Sequence, residues 1–177
     1  VWLGVSVEDQ ERADDRIPLL LQTPAAVRWV SAEPLLGPVQ LMLSAPCKTC
    51  SGSGSVRVPG GGRACEDCFD HTYGGTGRRS LDWVVAGGES GPDARPMEPH
   101  WPLHILEDCL LYEVPFHFKQ WGEWAPRERY GSEAMESDEI EGKWNGVMYR
   151  YGKKRAGREL GGRTWDQYPA GEGVSLG

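Results

Sequence analysis

The chain has 177 residues, of which 39% are hydrophobic and 25% charged, with a formal net charge of −7. That length suits one domain, or one domain with a small satellite, and is enough to bury a sizeable core. The acidic balance argues against a dominant nucleic-acid footprint, which needs a basic excess on at least one face, and no apolar run reaches the roughly 18 residues of a membrane span.

The first predicted element begins at once. Residues 1–8, VWLGVSVE, read as a strand with no methionine ahead of it, which predicts the C-terminal part of a longer chain. No signal peptide opens the sequence, so a cytoplasmic location is expected. In that reducing setting Cys-x-x-Cys pairs bind metal more often than they form disulfides. Four short apolar runs resemble buried strands: Val1–Val7, Val27–Ala32, Trp83–Ala86 and Pro115–Phe118. They are rich in Val, Trp and Phe and nearly continuous, which predicts parallel strands covered on both faces.

Between the first two runs, residues 8–24 (EDQERADDRIPLLLQTP) start charged and suit a helix, with Pro18 ending it or opening another turn. Between the last two, residues 99–114 (PHWPLHILEDCLLYEV) place Leu103, Leu106, Leu110 and Leu111 at helical spacing. The alternation of strand and helix predicts the α/β class, as a βα-repeat sheet or barrel. From Gly122 the rhythm is lost. Residues 126–144 are charged and read as a mobile loop, and residues 146–169 read as a short strand followed by a basic, glycine-punctuated segment. The expected division is a body of residues 1–46 and 80–121, an insert of 47–79 and an extension of 122–177.

The insert contains CKTCSGSGSVRVPGGGRACEDC, with four of the five cysteines of the chain. Two turns, Cys47 with Cys50 and Cys65 with Cys68, can complete a tetrahedral four-thiolate shell. The charge of such a centre would be offset by Lys48, Arg57, Arg63, Arg78 and Arg79. The segment is too small and polar to bury a core, so structural zinc is the expected source of its folding energy. A redox dithiol and an iron–sulfur cluster are the alternatives. His71 lies just outside the paired cysteines, and Cys109, in a Leu-rich helix, reads as a small buried residue rather than a ligand. CKTCSGSG resembles the zinc-binding repeats of DnaJ chaperones, and GGTGRR echoes a second one. The resemblance covers the insert alone and implies a zinc-stabilised loop, not chaperone activity.

In the body, the first three strands end at Glu8, Glu33 and Glu89, and the fourth at Lys119 and Gln120. Parallel α/β folds gather ligands at the C-terminal strand ends, so these residues, with Gly87 and Gly88, are the candidate rim of a site. The alternative is that each glutamate caps a helix or pairs with a surface arginine such as Arg28 or Arg95.

The stretches VWLGVSVEDQERADDRIPLLLQTPAAVRWVSAEPLLGPV, LDWVVAGGESGPDARPMEPHW, VPFHFKQWGEW and GKKRAGRELGGRTWDQYP resemble the phage gene-product-37/68 family, proteins similar to radical S-adenosylmethionine (SAM) enzymes. The resemblance implies the second half of a partial (βα) barrel. It also implies an upstream cysteine cluster holding SAM and a 4Fe–4S centre, but no Cys-x-x-x-Cys-x-x-Cys triad occurs in this chain. GGESG is late in the chain and is not equated with the early GGE motif of radical SAM enzymes. The chain is thus expected to be catalytically incompetent alone, to pair with the missing N-terminal half, and to reside in the cytoplasm of a host cell. Its substrate is unknown. The competing reading is a zinc-stabilised phage module that binds a host protein. A nucleic-acid partner for the basic segments is the weakest reading against the overall charge.

Overall fold

The computed structural model describes residues 1–41, 43, 49, 55–64, 81–126, 139–141 and 147–169. In chain order its elements are β1 (Trp2–Ser6), α1 (Gln10–Gln22), β2 (Val27–Ala32), β3 (Ser55–Val58), β4 (Gly61–Ala64), β5 (Trp83–Gly87), α2 (His100–Leu111), β6 (Phe116–Gln120), β7 (Trp124–Pro126), β8 (Glu139–Glu141), β9 (Val147–Arg150), α3 (Lys153–Ala156), β10 (Glu159–Leu160) and β11 (Arg163–Thr164). The fold is mixed α/β. Its main sheet has the order β1-β2-β5-β6, and every neighbouring pair is parallel. The four apolar runs are these four strands. β3 and β4 form an antiparallel hairpin within the insert, and β7, β9 and β8 form a small antiparallel sheet in the extension. Among the described residues no helix is long and apolar enough to cross a membrane.

The expectation of strands covered on both faces holds for β5, where Val84, Val85, Ala86 and Gly87 are all buried, but β1 and β2 alternate. β2 alternates between half-buried and buried residues. On its buried side Val30 and Ala32 lie level with Val5, Val84 and Ala86. With Phe116 and Phe118, each 0% exposed, they form the core against Ala13, Ile17, Leu20 and Leu21 of α1 and Ile105, Leu106 and Cys109 of α2. The other face carries Trp2, Gly4, Trp29, Trp83, Val85 and His117, and no described helix covers it. Nearly continuous hydrophobicity arose because tryptophan stands where an amphipathic strand usually carries polar residues.

Pro18 lies inside α1 rather than ending it. Asp9 caps the helix by accepting from the Arg12 amide at 2.9 Å. Proline removes one helical donor, yet Ile17, Leu20 and Leu21 are anchored in the core on either side of it. The burial of α2 is also shifted from the leucine spacing. Pro102, Ile105, Leu106 and Cys109 face inward, while Leu110 and Leu111 are 51% and 70% exposed. The extension shares the core of the body through Trp124, Ala125, Met148, Ala156, Leu160 and Trp165.

One edge of the main sheet is closed by the extension. The Phe118 amide donates to the Trp165 carbonyl at 3.0 Å, and the Gln167 amide to the Phe116 carbonyl at 3.1 Å. His117 and Asp166 form an antiparallel bridge between them.

Candidate functional site

Parallel register sets the rim. Ser6, Ser31, Val85 and His117 share one level of the open face, and Gly87 pairs with Gln120 one step further on. Glu8, Glu33 and Glu89 follow their strands at this same C-terminal edge. Their side chains do not all meet. Glu8 turns to α1, where Arg16 donates to its carboxylate at 3.1 Å and to the Ser6 carbonyl at 2.8 Å. Glu89 takes a bidentate fork from Arg95 at 2.8 and 3.0 Å and accepts from the Arg95 amide at 2.9 Å. Those hydrogen bonds hold the Glu89 carboxyl below the usual carboxylate range. The arginine pairing weighed as an alternative thus describes Glu89 with Arg95, and Glu8 with Arg16 rather than Arg28.

Glu33 is different. Its side chain is 14% exposed and accepts from Lys119 Nζ at 3.2 Å and from Ser31 Oγ at 3.3 Å. Gly87 lies directly beneath it, and a Cβ at that position would stand 2.5 Å from Glu33 Oε1. A side chain at Gly87 would thus displace the Glu33 carboxylate from its place beside Lys119. Gly88 has another constraint, since a Cβ there would strike the backbone carbonyl of Trp121. Gln120 donates to Ser90 Oγ at 3.0 Å and to the Gly88 carbonyl at 3.4 Å. Trp121 is 3% exposed, packs on Phe118 and donates its indole N–H to the Glu159 carbonyl at 2.7 Å, so it belongs to the core rather than to an open rim.

Next to the Glu33–Lys119 pair stands a second polar group that sequence reasoning missed. His117 occupies the open face with its side chain 14% exposed. Its Nδ1 is buried without a hydrogen-bond partner, 3.6 Å from Asp166 Oδ1. Asp166 is itself held by the Arg158 guanidinium. Burial first, and then the charge of Arg158, push the His117 pKa below the ordinary value of 6.5, so the imidazole is neutral at pH 7. His117 could have been found: in FHFKQ it lies two residues before Lys119, hence on the same face of a strand. Arg158 and Asp166 could not, because only the docking of the extension on β6 brings them there.

These groups give the open face a carboxylate, an ammonium and a neutral imidazole around the ends of β2, β5 and β6. A family model described as "Protein of unknown function (DUF5131)" matches residues 1–169. The chain belongs to this DUF5131 family. No curated protein and no solved structure matches it. Cys47, Cys50, Cys65 and Cys68 lie outside the described residues, as does His71. Among the described residues no group of three or more His, Cys, Asp or Glu side chains is placed to hold a metal ion. Cys109 is fully buried, and burial pushes its thiol up to about 12, which keeps it protonated and unreactive.

Proposed function

We propose that this DUF5131 chain is the C-terminal part of a phage radical-SAM-like protein, with β1, β2, β5 and β6 as the second half of a partial (βα) barrel and the cysteine insert as a zinc staple. The observation that supports the reading is the parallel strand order, which follows the chain, combined with one helix-covered face and one open face. In a barrel the open face lines the lumen, and the C-terminal strand ends hold the ligand. There Lys119 and Glu33 would orient a polar substrate, and neutral His117 could accept a proton from it. SAM and a 4Fe–4S cluster would belong to the longer parent, because this chain lacks the cysteine triad. Cys47, Cys50, Cys65 and Cys68 would hold zinc with no open coordination position, so the metal would be structural.

Iron and sulfide content of the parent protein, purified without oxygen, tests the radical reading. A stoichiometric iron–sulfur centre is expected, and its absence from anaerobic and reconstituted samples would overturn it. For the insert, one zinc per chain is expected, lost in Cys50→Ser while the body keeps its cooperative unfolding. Iron bound by these four cysteines would refute the zinc assignment.

A further inference from the structure

α1 joins β1 to β2 and α2 joins β5 to β6. Directly after β2, residues 33–41 run without a helix, with Leu35, Val39 and Leu41 in the core. A cleft of about 530 Å³ opens there, between the start of α1 and the outer face of α2. That volume falls within the ~300–1,000 Å³ of small-molecule sites.

The walls of the cleft have distinct chemistry. Gln10 clamps the loop wall, accepting from the Gln40 amide at 2.7 Å and donating to the Gln40 carbonyl at 3.4 Å and to Asp14 at 2.8 Å. Its amide is therefore used by the protein. Val39 gives this wall an apolar surface. The α2 wall presents Trp101, His104, Glu107 and Asp108, which share one helical face. Glu107 and Asp108 form no ion pair with any described residue, and the last turn of α2 contains no basic residue. The negative end of the helix dipole thus adds to two carboxylates rather than being offset. An anion is repelled here, and a neutral ligand leaves both carboxylates unmatched. A cation is attracted by the charge, and the aromatic ring of Trp101 lines the cleft beside it.

We infer that this cleft binds a small organic cation, with a guanidinium or ammonium head between Glu107, Asp108 and Trp101 and an alkyl body along Val39. The site lies on the opposite side of the sheet from the rim, so it stands or falls independently of the radical-SAM reading.

Agmatine, which carries a guanidinium and an ammonium on a four-carbon chain, is a suitable probe. In a nuclear magnetic resonance titration of the labelled protein, saturable shifts are expected at the Trp101 indole and the Glu107 and Asp108 amides. Glu107→Gln should weaken binding about tenfold and Trp101→Leu by a similar factor. Asp15→Asn, an exposed acidic site on α1, should leave it unchanged, and neutral 1,4-butanediol should not bind. Absence of saturation at millimolar agmatine, or undiminished binding by Glu107→Gln, would overturn the inference. In the second case agmatine would be a general counterion of an acidic surface. Shifts centred away from α2 would do the same.

Discussion

The two faces of the β1-β2-β5-β6 sheet are built from the same four strands and have little else in common. The covered face is aliphatic and phenyl, with Val30, Ala32, Val84, Ala86, Phe116 and Phe118 each 0% exposed. The open face is largely indole and polar, with Val85 as a buried aliphatic exception. There Trp83 gathers Trp2, Trp29, His117 and Tyr168 at centroid distances of 5.2 to 6.2 Å, and Glu33 and Lys119 lie beyond them at the strand ends. The difference teaches that stability and chemistry are divided by strand parity. Each residue serves one face, and its immediate neighbour in sequence serves the other.

The largest effect is expected from breaking the covered face. Phe118→Ala should cost about 3–5 kcal/mol by loss of transfer energy and formation of a cavity, measurable by urea denaturation. Gly88→Ala comes next. Its methyl group meets the rigid Trp121 backbone carbonyl, and such overpacking costs about 1–3 kcal/mol, read as a lower thermal midpoint with unchanged secondary structure.

A smaller effect sharpens the contrast through pH. The lowered folded-state pKa of His117 means that the unfolded chain takes up its proton first as pH falls. Its contribution is therefore intact above 6.5 and is lost as pH drops through the folded value. His117→Gln should flatten the stability profile in that window. Glu89 works in the same direction at lower pH, since its depressed pKa gives stability that is lost on acidification. The smallest change is expected from Lys119→Met. Lys119 is 55% exposed, and a pair of that kind contributes at most about 1 kcal/mol. Near-native stability combined with altered behaviour of the rim would separate the open face from the covered one. A loss as large as that of Phe118→Ala would show that both faces are structural.

The strands were legible because Val, Trp and Phe cluster in short runs bounded by Pro and Gly, and their C-terminal ends carry the rim glutamates. Which glutamate faces the open side was not legible. Glu8, Glu33 and Glu89 occupy similar places in sequence, yet Arg16 and Arg95 capture two of them, and only Glu33 reaches across β5 to Lys119, a pair separated by 86 positions in the chain. Periodicity also failed where proline was involved. Pro18 lies in the interior of α1, because burial of Ile17, Leu20 and Leu21 outweighs the lost hydrogen bond, whereas Pro102 sits in the first turn of α2, where no helical hydrogen bond is lost. The contribution of the extension to the site depends on tertiary docking and leaves no local pattern.

The docking of residues 165–167 along β6 has a consequence for solubility. An unpaired strand edge offers a ladder of amides and carbonyls to any extended chain that drifts past, and so templates aggregation. In this molecule the β6 edge is occupied from within. The charged side chains of Arg158 and Asp166 stand beside that edge as gatekeepers, and proteolytic removal of the last dozen described residues would convert a protected seam into a sticky one.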